Sequence, residues 1–345
     1  RMTAETQLLV NQGPFDIYRE KAGQDRGPLL VKHLRNNSSD SLIMGLRHEA
    51  AILDYLDRRG VPHVHRVCLH RNRISLLMDD PGGIPMSDLI NSSRALPFDM
   101  DAFFPAAAAA TKALSEIHGK DVLHLYVSPD TLFWNPENRT AFFTGFHLSR
   151  RLSRQNPETA LSRMVGTDLA FISPDQTGRM NRTVDTRSDL YSLGAVFYAM
   201  LTGRPPFHGI ADDGSLIHAH LARQPTPVCQ VNPKIPRSLS DLIDKLLEKN
   251  PEDRYQSAAG LAADLDFLSR AIPENKTFIP GRRDIRDRFH IPQRLYGREE
   301  ELKQLMSAFS EVRQGASRFL MIKGYSGVGK SSLINALTGR KALAR

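Results

Sequence analysis

Cysteine is scarce in this chain and tryptophan scarcer: 345 residues carry two of the first, Cys68 and Cys229, and one of the second. Two cysteines are too few for a disulfide framework and lack metal-ligand spacing, so they read as buried or inert thiols of a reducing cytoplasm. Long apolar runs are missing as well. No stretch approaches the roughly 20 apolar residues of a membrane helix, and Arg1-Met2-Thr3 opens no apolar signal segment. A soluble cytoplasmic protein is expected, with no membrane contact in this segment. The net charge is +8, but the basic residues fall in short groups such as Arg150-Arg151 and Arg282-Arg283. From Gly281 to His290 arginine alternates with aspartate. A solvated surface accounts for that pattern, so no nucleic-acid partner is expected.

What is present divides the chain. Its length exceeds one ordinary domain. Between Gln7 and Asp80 short apolar runs read as strands: Gln7-Leu8-Leu9-Val10, Leu29-Leu30-Val31-Lys32 and Ile74-Ser75-Leu76-Leu77-Met78. One helical stretch, Leu46 to Leu56, lies among them. After the turn Asp80-Pro81-Gly82-Gly83 the pattern becomes helical, with helices expected over Phe104 to Ile117, Asp189 to Leu201, Ser238 to Glu248 and Ala258 to Ala271. The second of these is apolar on most sides and should be a buried central helix that stops at Gly203. From about Pro273 to Gln293 periodicity fades into an expected linker. A new unit opens at Leu295-Tyr296-Gly297-Arg298-Glu299-Glu300.

The motif order is specific. Lys32 ends a strand and Glu49 sits on the helix that follows. In the helical part come Phe171-Ile172-Ser173-Pro174-Asp175, then Asp189-Leu190-Tyr191-Ser192-Leu193-Gly194, and later Pro251-Glu252-Asp253-Arg254-Tyr255. This arrangement resembles the protein-kinase domain that fronts large bacterial signalling proteins joining a serine/threonine-kinase module, an ATPase and sensor histidine-kinase parts. The resemblance implies an α+β two-lobed protein-kinase-like fold followed by the start of an α/β P-loop NTPase domain. It sets a small lobe at residues 1–80, a helical lobe at 81–275, a linker at 276–293 and an incomplete AAA-type ATPase domain at 294–345. It further implies that Lys32 and Glu49 form the ion pair that holds ATP phosphates. Asp175 should pair with Arg254, and Asp189 should cap the central helix and brace the catalytic loop.

The groups that perform phosphoryl transfer do not follow. Laying the catalytic-loop signature His-Arg-Asp-x-x-x-x-Asn on His124 puts Leu125 at the Arg, Tyr126 at the base and Thr131 at the magnesium-binding Asn. A phenol stays protonated at neutral pH and cannot act as an anionic base. Thr131 offers one hydroxyl in place of an amide oxygen. Gly145-Phe146-His147 takes the place of the metal-binding Asp-Phe-Gly, and a shift of one residue to Thr144 restores no carboxylate. Gly13 is the lone glycine of the stretch Asn11 to Ile17 where a Gly-rich loop belongs, Pro14 removes an amide, and Asp16 adds a negative charge. Grip on ATP should be weak there. Asp130 and Asp121 are nearby acids, and neither matches the loop geometry. Ser149, Ser153 and Ser162 lie near arginines and read as solvated loop residues.

Near the end, Arg318 to Lys323 reads as a buried strand, Gly324-Tyr325-Ser326-Gly327-Val328-Gly329-Lys330-Ser331 satisfies G-x-x-x-x-G-K-S, and a helix is expected from Ser332. In that context Gly324, Gly327 and Gly329 bare amides to phosphate oxygens, Lys330 neutralises charge, Ser331 coordinates Mg2+ and Ser332 joins the cradle. Starting without Met and stopping just past this motif, the chain reads as a piece of something longer.

Two functions remain open. In the first, a catalytically degenerate kinase-like regulatory domain is joined to an ATP-binding P-loop module, with other signalling proteins or downstream domains of the same chain as partners. In the second, an active serine/threonine protein kinase transfers the ATP γ-phosphate to protein hydroxyls.

Overall fold

The computed structural model describes residues 6–21, 27–35, 40–92, 98–152, 168–178, 184–272 and 277–284, with a few positions between 303 and 323. Gly324, Gly327, Gly329, Lys330, Ser331 and Ser332, like Ser153 and Ser162, lie outside the described residues.

The small lobe is a five-stranded antiparallel sheet carrying one helix. Its strands are β1 (Thr6–Gln12), β2 (Phe15–Glu20), β3 (Leu29–Leu34), β4 (Val64–His70) and β5 (Arg73–Asp79), in the order β1-β2-β3-β5-β4. Alternation sends Phe15 and Ile17 of β2 inward and leaves Tyr18 and Arg19 half-buried. Register places Lys32 between Ile17 on one side and Leu76 on the other. Helix α1 (Asp40–Leu56) starts before the predicted Leu46, because its first turns bury little and so carry weak apolar periodicity. Strand β2 escapes the sequence reading because its buried Asp16 and Glu20 interrupt the apolar pattern, and β4 because it buries little. The polar side chains of β4 belong to an edge strand that faces solvent.

The helical lobe begins with the short strand β6 (Ile84–Pro85) and α2 (Met86–Ser92), followed by α3 (Met100–His118). Asp99 caps α3 by accepting from the Ala102 amide at 2.8 Å. Strands β7 (Val122–Leu123), β8 (Leu132–Asn135), β9 (Thr140–Phe143) and β10 (Arg150–Arg151) form two small sheets, β6-β8-β9 and β10-β7, which hold the loops facing the small lobe. Then come α4 (Thr186–Thr202), α5 (Asp213–Ala222), α6 (Val228–Val231), α7 (Arg237–Leu246) and α8 (Ala258–Ala271). Helix α4 is buried without a break from Arg187 to Leu201 and ends at Gly203, whose φ of +76° suits a left-handed stop. It is the expected central helix.

One apolar cluster runs from Phe15 and Ile17 through Phe103, Phe143 and Phe197 to Leu265 and binds the two lobes together. Cys68, on the edge strand β4, and Cys229, on the short helix α6, are free and half-buried. One expectation needs correction. The cap of α4 is Asp185, which accepts from the Arg187 amide at 2.9 Å, while Asp189 lies inside the first turn and points elsewhere.

Candidate functional site in the interlobe cleft

Strand β3 delivers Lys32 and helix α1 delivers Glu49 to one point between the lobes. Their side chains meet at 2.7 Å, Nζ to Oε2, with neither exposed to solvent. Burial pushes the Lys32 ammonium down and the Glu49 contact pulls it back up. Burial alone would raise the Glu49 carboxyl, but Lys32, His147 and the Gly145 amide hold it below its ordinary range. That amide donates to Glu49 Oε1 at 2.8 Å, so the helix of one lobe is pinned to the loop of the other.

Lys32 is fully buried among the described residues. The Phe15 ring lies beneath its Nζ at 4.5 Å, and the His147 ring packs on Phe15 at 5.1 Å. Tyr126 packs edge-on against His147 at 5.4 Å. From the tip of β1, Gln12 is fully buried and donates through Nε2 to the Asp130 carbonyl at 2.7 Å and the Thr144 hydroxyl at 2.8 Å. The turn that joins β1 to β2 at Gly13-Pro14 is tight, so β1 and β2 bring Gln12 and Phe15 down together where a Gly-rich loop would arch over phosphates.

The positions expected to be degenerate converge. Gly145, at φ +88°, lies against Thr131 and Tyr126. The Thr131 hydroxyl donates to the Tyr126 carbonyl at 2.8 Å and accepts from the Ser128 amide at 3.0 Å, so it is spent within its own loop. Burial, then the charges of Asp130 and Asp168, pushes the Tyr126 phenol far above its usual range. A magnesium ion asks for several oxygen ligands, with carboxylates foremost. Tyr126, Thr131 and Gly145 supply a protonated phenol, an engaged hydroxyl and no side chain, and the set does not fit a kinase-type metal site. Among the described residues no group of three His, Cys, Asp or Glu side chains is placed to hold a metal ion. Asp168 is an acid that the sequence reading passed over, for it stands well away from the catalytic-loop signature. Asp121 is a left-handed turn residue at φ +59° whose carbonyl accepts from the Leu152 amide.

The framework around these positions is intact. Asp189 accepts from the backbone amides of His124 and Leu125, each at 2.8 Å, and meets His118 Nε2 at 2.9 Å. Leu125 is held at φ +62° by that grip. His124 Nε2 reaches the Thr144 carbonyl at 2.9 Å and its ring packs on Phe146 at 4.4 Å, with burial lowering its pKa to about 4. Arg254 Nη1 donates to Asp175 Oδ2 at 2.6 Å, both groups buried. The pair is single rather than bidentate, because Nε and Nη2 of Arg254 donate instead to the Glu248 and Lys249 carbonyls. Ser149 is buried and donates to the Phe146 carbonyl, which corrects its reading as a solvated residue.

Besides Asp168, sequence reasoning missed the parts played by Gln12, Phe15 and His147. A signal existed for Gln12, since alternation from Val10 turns it inward.

The model of the protein kinase domain matches residues 16–264. The chain belongs to the protein kinase family. An AAA ATPase domain model matches residues 294–344. Among similar proteins, hybrid signal transduction histidine kinase G of Dictyostelium discoideum is 38% identical over 198 residues, 51% of this chain and 6% of that protein. Serine/threonine-protein kinase Pkn1 of Myxococcus xanthus is 28% identical over 248 residues, 71% of this chain and 34% of its own length. PknB of Mycobacterium leprae is 32% identical over 190 residues, 55% of this chain and 29% of its own length. The chain therefore spans about a third or less of these relatives. The crystal structure of the Mycobacterium tuberculosis PknI kinase domain superposes with a TM-score of 0.54 at 17% identity, covering 75% of this chain and 93% of that one. Domains of the two matched families use ATP and Mg2+. No helix among the described residues is long and apolar enough to cross a membrane.

Proposed function

We propose that residues 1–80 and 81–275 form a regulatory, non-phosphorylating kinase-like domain of a bacterial signalling protein, joined through 276–293 to an ATP-binding ATPase module at 294–345. In this reading the first part is a pseudokinase of the cytoplasm. It relays the binding of another signalling protein, or of a downstream domain, to the ATPase. The observation that carries it is the full burial of Lys32 over the Phe15 ring, with the Thr131 hydroxyl engaged in its own loop and no side chain at Gly145. Nucleotide then binds at the P-loop, with Gly324, Gly327, Gly329 and Ser332 cradling phosphates, Lys330 neutralising them and Ser331 holding Mg2+.

The test is incubation of the chain with labelled ATP and Mg2+ or Mn2+. No phosphate incorporation is expected, while Lys330→Ala should abolish nucleotide binding. Incorporation that disappears in Lys32→Ala would sink the reading.

The intact Lys32–Glu49 pair favours a second reading, in which Lys32 and Glu49 place ATP phosphates and the domain is an active serine/threonine kinase. That reading requires Phe15 and Gln12 to leave the cleft.

A further inference from the structure

Residues 277–284 lie past α8 and have no part in the cleft, yet they are bound to the helical lobe. The Gly281 amide donates to Asp264 Oδ2 at 2.7 Å, and Arg283 Nη1 reaches Oδ1 at 3.4 Å. Asp264 is fully buried and also accepts from the Tyr255 hydroxyl at 2.7 Å. The Arg283 guanidinium lies over the Phe267 ring at 3.8 Å, and Phe278 stacks on the same ring at 6.1 Å. Asp284 closes the segment. It accepts from the Ser257 hydroxyl at 2.9 Å and from the Gln256 amide, at the N-terminal turn of α8 where a carboxylate is favoured.

Two glycines make the fit possible. A Cβ on Gly260 would fall inside contact distance of Asp284 Oδ1, and one on Gly281 would collide with Lys245 Cε. Gly281 also sits at φ +77°. A free tether needs none of these features.

We propose that residues 277–284 are an anchored strap that seats the ATPase unit on the α7–α8 face, so that the two units act as a coupled pair. The inference goes beyond the function proposed above and does not depend on whether the cleft transfers phosphate. Chain length shows what the strap changes. The AAA ATPase match begins at residue 294. Counted from Ala271, the tether would be about 23 residues with a reach of about 80 Å; counted from Asp284 it is about 10 residues with a reach of about 35 Å. The shorter tether raises the effective concentration of one unit at the other.

Hydrogen exchange and lysine cross-linking of the whole chain test the strap, in wild type, Gly260→Ala and Asp284→Ala. Alanine favours a helix over glycine, so Gly260→Ala should leave α8 protected while its methyl displaces Asp284. Wild-type amides of Gly281 and Arg282 should exchange at least about tenfold slower than in a free peptide of the same sequence, and both variants should return them to the peptide rate. Cross-links from Lys245 or Lys249 to Lys303 or Lys323 should fall at least about tenfold with release. Should Gly260→Ala disturb α8, Asp284→Ala decides alone. Peptide-like exchange in wild type overturns the proposal, as does retained protection in the variants or cross-linking that persists once the strap is free.

Discussion

A Cβ placed on Gly145 would lie 2.6 Å from Thr131 Cγ2 and 3.4 Å from Tyr126 Cδ1. These residues stand where the kinase signature puts two metal ligands and the base, and here they are one packed cluster. Each has taken a form that the others require, so restoring one polar group cannot rebuild the site. Gly145→Asp is expected to cost about 2–4 kcal/mol through overpacking and a backbone at φ +88°. Thr131→Ser removes the offending methyl and keeps the hydroxyl, and should recover about 1 kcal/mol or more in the double variant. A urea-denaturation double-mutant cycle measures this, and strict additivity would show that the two side chains do not press on each other.

Gln12 holds the β1–β2 hairpin down. Gln12→Ala removes its bonds to the Asp130 carbonyl and the Thr144 hydroxyl, and a loss of about 1–3 kcal/mol is expected in thermal or urea unfolding. Freeing the hairpin should also uncover Lys32. An amine-reactive reagent with mass-spectrometric mapping would see Lys32 labelled severalfold faster than in wild type. Equal labelling of the two proteins would mean that Phe15 alone shields the ammonium.

Much of the helical lobe was legible because its helices carry full apolar stripes and clear stops. Ala258 to Ala271 was expected with the bounds that the structure shows, and Gly203 announced the end of α4. The Lys32–Glu49 and Asp175–Arg254 contacts were reachable through the resemblance to the protein-kinase domain. The filling of the cleft was not. Gln12 meets partners more than a hundred residues away, and whether an inward glutamine bonds to a facing loop depends on how the lobes close. Asp185 was passed over as the α4 cap because Asp189 stands closer to the apolar run that marks the helix. The strap escaped notice because its arginines and aspartates read as solvated, although Asp264, buried on α8, accepts from it.

The Lys32–Glu49 pair should answer non-additively to substitution. Glu49→Ala leaves a buried ammonium with no carboxylate and drops the bond from the Gly145 amide, so a loss of about 3–5 kcal/mol is expected. Lys32→Met strands the carboxylate at comparable cost. Replacing both with apolar residues, Lys32→Met with Glu49→Leu, removes two desolvated charges at once and should cost less than either single change. Urea midpoints of the four proteins decide it. A double variant as unstable as the sum of the singles would mean that the pair is not acting as a pair.

Acid should loosen this domain well before its exposed carboxylates titrate. Burial lowers the pKa of His124 to about 4, and those of His147 and His220 to about 3. An unfolded chain protonates all three near 6.5, so between that pH and the native values it binds more protons than the folded protein. Stability from these groups is complete above pH 6.5 and is lost as pH falls toward 4 and then 3. Asp244, raised to about 6 chiefly by burial, has the opposite sign: its contribution is present below its ordinary range and is lost as pH rises through 6. Asp130 and Asp168 are raised as well, again by burial first, and oppose the histidines in the lower part of the window. From pH 7 to 5.5 three imidazoles should outweigh these acids, and the urea midpoint should fall. His147→Phe keeps a ring against Phe15 and Tyr126 and removes one proton from the balance, so its midpoint should fall less steeply over the same range. An unchanged slope in that variant would show that His147 does not contribute to the acid response.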